Sequence, residues 1–122
     1  MKNRVEDVMT DCLFCGIVAE KIKANVIFKN DAVVVFKDIN PKAPVHFLII
    51  PRKHIAGVLD IEPEDHAIIG EVFQVAAQLA REHGIAESGF RVTVNSGPDA
   101  GQSVFHLHYH LLGGRQMTWP PG

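Results

Sequence analysis

From Phe105 to Leu112 apolar and imidazole side chains alternate without a break: Phe105-His106-Leu107-His108-Tyr109-His110-Leu111-Leu112. In extended backbone successive side chains leave on opposite faces, so the pattern predicts a strand over 104–112. Leu107, Tyr109 and Leu111 would pack into a core, and His106, His108 and His110 would share the other face. Runs rich in β-branched residues predict further strands over 25–29 and 32–38, joined by a turn at Asn30-Asp31, and over 46–51 and 90–95. One stretch has the helical period instead. Ile68, Val72, Val75, Ala76 and Leu79 recur on one face of a helix that begins at Pro63, carries Arg81 and His83 near its end and stops at Gly84. A short helix is predicted over 14–19, whereas the prolines of Asn40-Pro41-Lys42-Ala43-Pro44 exclude one there. Short turns between strands and a single long helix predict an α+β domain on an antiparallel sheet. Residues 1–10 are polar and aperiodic and read as a flexible tail, leaving 11–122 as one domain.

Three imidazoles in register need a chemical reason, because burying unsatisfied rings is costly and no core requires them. At about 3.3 Å per residue, alternate positions lie about 6.6 Å apart and the outer two about 13 Å apart. Metal–nitrogen bonds are only about 2 Å long, so the three cannot ligate one ion together, although two neighbours can. The loop before the row, Ser96-Gly97-Pro98-Asp99-Ala100-Gly101-Gln102-Ser103, is rich in glycine and hydrogen-bonding groups of the kind that aim backbone N–H groups at an anion. Asn95, Gln102 and Ser103 add side-chain donors. Together they point to a phosphate held by the loop and the outer histidines with one imidazole against phosphorus. An imidazole with a pKa near 6.5 is largely neutral at pH 7 and attacks phosphorus without a metal, giving a phosphoimidazole that water then hydrolyses.

Composition narrows the partners. The 122 residues are 47% apolar and 21% charged, with a formal charge of −2, which fits a soluble globular protein with no general basic field for nucleic acid. No apolar run approaches a membrane span and no signal-peptide hydrophobic region follows the first residues, so a cytoplasmic location is expected. The two cysteines form one pair, Cys12-Leu13-Phe14-Cys15, which in a reducing compartment points to a metal or redox site before a disulfide.

The run His106 to Leu112 resembles the signature of the histidine triad (HIT) family, and Gly101-Gln102-Ser103 before it matches too. Similarity extends through Phe36-Lys37-Asp38-Ile39 and Pro41 to Phe47 to Gly113-Gly114-Arg115-Gln116-Met117 and Trp119-Pro120-Pro121-Gly122, a tail similar to that of the purine nucleoside phosphoramidase branch. The resemblance implies a five-stranded antiparallel sheet with one long and one short helix, joined across a homodimer. It implies hydrolysis of the P–N bond of adenosine or guanosine 5′-phosphoramidates through a nucleotidyl-histidine, with a purine nucleotide as the partner and no catalytic cofactor. By motif position His108 is the nucleophile, His110 and Asn95 contact phosphate, and Gln102 and Ser103 lie near the phosphate or leaving group. Asp38 takes the place of a ribose-binding carboxylate, and Leu13, Phe14, Ile17, Ile22, Phe36, Ile39 and Leu48 match an apolar purine slot. Trp119 would shape the choice of leaving group from the neighbouring subunit.

The Cys12-x-x-Cys15 pair departs from many members of that branch. Carried over from other histidine triad proteins, it implies a structural zinc on Cys12, Cys15, His46 and His106, with two metal-free thiols as the alternative. His54, His66 and His83 lack a partner motif and are expected to be solvated. Lys37 beside Asp38 is a second departure, with consequences for base or ribose preference. Three other functions stay open at this point: a dinucleoside polyphosphate hydrolase, against which the Trp119 tail argues, a nucleotide-binding regulatory module with incidental hydrolysis, and a metalloenzyme using the histidine row for catalytic zinc.

Overall fold

A computed structural model describes residues 11–122, and the tail predicted over 1–10 lies outside them. Seven main elements follow one another: α1 (Leu13–Val18), β1 (Val26–Lys29), β2 (Val33–Lys37), β3 (Val45–Pro51), α2 (His66–Glu82), β4 (Phe90–Val94) and β5 (Tyr109–Gly113). The strands form one antiparallel sheet in the order β1-β2-β3-β5-β4. The last strand thus inserts between β3 and β4, which puts His110 inside the sheet.

Alternation divides the side chains between two layers. Val33 and Val35 of β2, Phe47 and Ile49 of β3, and Leu107, Tyr109 and Leu111 pack under α2 against Val72, Val75, Ala76, Leu79 and Ala80. The intervening residues Val34, Phe36, Leu48 and Ile50 pack on the other side against Phe14 and Ile17 of α1. The register pairs Leu48 with His110 and His46 with Leu112, so the histidine face and the α1 face are one surface.

Local chemistry sets the boundaries. The β1–β2 turn closes because the Asn30 side-chain oxygen accepts from the backbone N–H of Ala32 (2.8 Å) and of Val33 (2.9 Å). Pro63 opens a 3-10 turn over Pro63–Asp65 rather than α-helix, and α2 proper starts at His66. It ends where Gly84 takes a positive φ of 74° and the Ile85 N–H reaches back to the Ala80 carbonyl at 3.0 Å, a Schellman closure.

The strand predicted over 104–112 is shorter than the pattern implies, beginning only at Tyr109. Upstream, the backbone is engaged elsewhere. The Leu107 N–H donates to the Ile55 carbonyl at 2.6 Å, and the His106 carbonyl accepts from the His108 ring at 2.7 Å. Alternation survives without the ladder, since Leu107 stays in the α2 core.

Candidate functional site

Hydrogen bonding fixes which nitrogen of each ring is free. The His108 Nδ1–H donates to the His106 carbonyl oxygen at 2.7 Å, so the neutral ring carries its lone pair on Nε2. The Lys42 backbone N–H donates to His46 Nδ1 at 3.0 Å, which leaves the His46 proton on Nε2. That Nε2–H in turn meets His110 Nδ1 at 2.9 Å, so His110 carries its own proton on Nε2. A bare nitrogen and an N–H donor therefore sit on neighbouring rings, whose centroids are 5.3 Å apart. Burial, reinforced by the adjacent His108 and His46 rings, pulls the His110 pKa down to about 4. Burial lowers that of His46 as well, against the opposing pull of Asp38, whose Oδ2 lies 3.4 Å from His46 Nε2. Two neutral rings at neutral pH keep this donor relay intact.

Of the remaining predicted contacts, Asn95 directly follows β4, whose last pair is Val94 with Tyr109. Asp38 follows β2 beside His46, its Oδ1 accepting from the Asn40 N–H at 2.8 Å. The Gln102 carboxamide is engaged within the protein, Oε1 accepting from Gly97 N–H (3.0 Å) and Nε2 donating to the carbonyls of Ala56 (2.8 Å) and Val104 (3.2 Å). It braces the loop. Ser103 is exposed and lines a cleft with Cys12, Leu13, His54, Val104 and Phe105.

The predicted apolar slot separates into two groups. Phe14, Ile17, Phe36 and Leu48 form a buried wall, with the Phe14 ring edge-on to Phe36 (5.4 Å) and to His108 (5.1 Å). Leu13 and Ile22 are partly exposed at its border, and Ile39, 99% exposed, packs against none of it. Trp119 is also exposed, on a tail tied down by Arg91 Nη2–H to the Thr118 carbonyl (3.1 Å) and by the Arg115 side chain to the Lys42 carbonyl (2.8 Å).

The metal-ligand set expected from the sequence is corrected at one position. His46 points away from the cysteines into the relay just described, and His54 takes its place: Cys12, Cys15, His54 and His106 bring one ligand atom each within 4.8 Å of one another. The reason is position along β3. His46 lies at the start of the strand with its side chain beside His110, whereas His54 lies past the strand's other end, on the segment that runs beside α1. Its pattern-free loop context gave the sequence no signal for this.

The four atoms fit a small divalent cation. Bonds of about 2.3 Å to sulfur and about 2.0 Å to nitrogen give a tetrahedron with S–N edges of about 3.5 Å. Here His54 Nδ1 lies 3.2 Å from Cys15 Sγ, and His106 Nδ1 lies 3.4 Å and 3.5 Å from the two sulfurs. The His106 Nε2–H donates to the Pro51 carbonyl at 2.8 Å, which turns the Nδ1 lone pair toward the thiols, as for a metal-bound imidazole. Burial and the adjacent Cys12 push the Cys15 thiol up to about 12, and burial pulls His106 down to about 4. To hold the pair as thiolates here would take a cation.

The family model for the HIT domain matches residues 19–117, more than half of the chain. The chain belongs to the HIT family. It is 44% identical over 112 residues to an uncharacterised HIT-like protein of Synechocystis, covering 92% of this chain and 97% of that one. It is also 44% identical over 112 residues to the Arabidopsis thaliana adenylylsulfatase HINT1, covering 90% of this chain and 76% of that protein. A crystal structure of a HIT family hydrolase from Legionella pneumophila superposes with a TM-score of 0.90 at 46% identity, covering 92% of this chain and all of that one. A histidine triad nucleotide-binding protein from Candida albicans does so with a TM-score of 0.77 at 30% identity, covering 90% and 83%. Family membership and the five-stranded antiparallel sheet with its long helix agree with the sequence reading.

Proposed function

We propose that this HIT protein is a nucleoside phosphoramidase that cleaves the P–N bond of adenosine or guanosine 5′-phosphoramidates, through a covalent adduct on His108. The observation that carries the reading is the pair of fixed tautomers, a bare Nε2 on His108 beside a proton-bearing Nε2 on His110. His108 Nε2 attacks phosphorus, forming an N–P bond as the substrate's P–N bond breaks. The departing amine takes its proton from the Ser103 hydroxyl, which recovers it from the water that attacks in the second step. The His110 Nε2–H and Asn95 hold the phosphoryl oxygens, whose charge grows in the transition state. Water then breaks the histidine–phosphorus bond, releasing AMP or GMP and restoring His108. Asp38 accepts from the ribose hydroxyls, and Phe14, Ile17, Phe36 and Leu48, with Leu13 and Ile22 at the border, flank the base. Gln102 acts by holding the loop.

Cys12, Cys15, His54 and His106 hold a structural zinc, a closed set of four with no position left for substrate. When bound, zinc fixes the thiolates and cross-links α1 to the histidine segment. The protein works as a cytoplasmic homodimer joined along β4, one of the two edge strands of the sheet, where Phe90 and Val94 are partly exposed and Phe73 of α2 is half exposed. Among the described residues no helix is long and apolar enough to cross a membrane. Trp119 packs against the leaving group in the neighbouring subunit, so a chain ending at Arg115 stays folded but ranks bulky and small amines differently.

The name of the Arabidopsis relative favours a second reading, an adenylyl group transferred from sulfate rather than from an amine. The same His108 attack serves both. A panel of adenosine and guanosine phosphoramidates together with adenylyl sulfate, run with wild type and His108→Ala, separates them. The proposal expects the phosphoramidates to turn over fastest and the variant to lose turnover by orders of magnitude. Full activity in His108→Ala would overturn it.

A further inference from the structure

We propose that the four-residue metal group positions the nucleotide site, coupling metal binding to nucleotide binding through α1; the inference rests on the two site assignments above. Helix α1 has six residues, too few to hold a helix by their own hydrogen bonds, so its place is set by what it packs against. Cys12 and Cys15 carry its metal side, and the Cys12 sulfur also caps the helix, accepting from the Cys15 N–H at 3.3 Å. Phe14 and Ile17 carry its nucleotide side. Phe14 adjoins Cys15 in the chain and places its ring against His108, so neither face of the helix moves without the other.

A second connection runs through one residue. His106 offers Nδ1 to the sulfurs and its backbone oxygen to His108 Nδ1–H, so the group that faces the metal also orients the nucleophile. A cation drawing four donors to bonding distance therefore orders both the slot wall and the His108 ring before nucleotide arrives. Binding to a site already ordered loses less conformational entropy and is tighter. Linkage is reciprocal, so nucleotide must tighten the metal by the same factor. Cys12, Cys15 and His54 are in this sense positioning residues.

The test uses cobalt(II) in place of zinc, whose thiolate absorption bands report the geometry at Cys12 and Cys15 in the folded, loaded protein. Saturating AMP should shift those bands. AMP should also bind roughly fivefold or more tightly to the loaded than to the reduced, metal-free protein, compared where both keep their near-UV circular dichroism. Phe14→Leu should still bind cobalt but lose most of the shift. Unchanged bands with AMP demonstrably bound would overturn the coupling while leaving both sites standing. If the metal-free protein loses its near-UV signal, the cobalt bands decide alone. Failure of AMP to bind loaded protein would remove the nucleotide assignment, and failure of both cobalt and zinc to bind would remove the metal assignment, and either ends the coupling.

Discussion

Replacing His46 by alanine removes the Nε2–H donor that lies 2.9 Å from His110 Nδ1, and with it the reason for His110 to keep its proton on Nε2. A neutral hydrogen bond of this kind is worth about 0.5–1.5 kcal/mol net, a factor of about 2 to 12. Complete loss of one transition-state donor costs a factor of about 100 to 1,000 in kcat. His46→Ala leaves His110 in place but free to take either tautomer, so the expected fall in kcat lies between those bounds, about ten- to a hundredfold. KM should change little, because the donor matters most where charge develops on the phosphoryl oxygens. The assay is steady-state hydrolysis of adenosine 5′-phosphoramidate, with near-UV circular dichroism to confirm the fold and His46→Gln as a replacement that keeps an N–H donor. Gln should recover part of the rate. An unchanged kcat in a folded His46→Ala protein would refute the relay, since even the weakest bond in the range predicts a fall of about twofold.

Three further outcomes are expected. Elemental analysis of protein purified under reducing conditions should find about one zinc per chain, lost in His54→Ala but retained in His46→Ala, and removal of the metal should lower thermal stability. His110 is held near 4 in the fold against about 6.5 in the unfolded chain, so the unfolded state binds the extra proton between those values. The stabilising contribution is complete above about pH 6.5 and is lost as pH falls toward about 4, so the melting temperature should drop across that window and drop less steeply in His110→Gln. Gly114→Ala should destabilise by about 1–3 kcal/mol in denaturant melts, because φ there is 93° and the new Cβ would lie 2.9 Å from Pro44 Cβ.

The elements that position the site were legible because their patterns have a single physical reading. Alternation of leucine and histidine near the C-terminus gives each residue a face, and Leu107, Tyr109 and Leu111 lie in the α2 core as it assigns, whereas β2 and β3 are continuous apolar runs buried on both faces. What the alternation does not encode is where backbone hydrogen bonds go. Residues 104–108 have the side-chain rhythm of a strand, but Leu107 and His106 bond to Ile55 and to a ring instead. The metal set shows a similar limit. His46 and His54 are both single histidines flanking one strand, and only the three-dimensional path past Pro51 decides which of them meets Cys15. Gln102 illustrates a third limit, since nothing in the sequence shows that a loop carboxamide has three internal partners.

The central claim is that the bare Nε2 of His108 is the atom that attacks phosphorus. Rapid alkaline quench of wild-type protein during a single turnover of adenosine 5′-phosphoramidate, followed by peptide mass mapping, tests it most directly. The account predicts a transient adduct of mass AMP minus water, confined to the peptide containing residues 106–110 and fragmenting to His108. Product formation with no adduct at any time, or an adduct on a different residue, would contradict it.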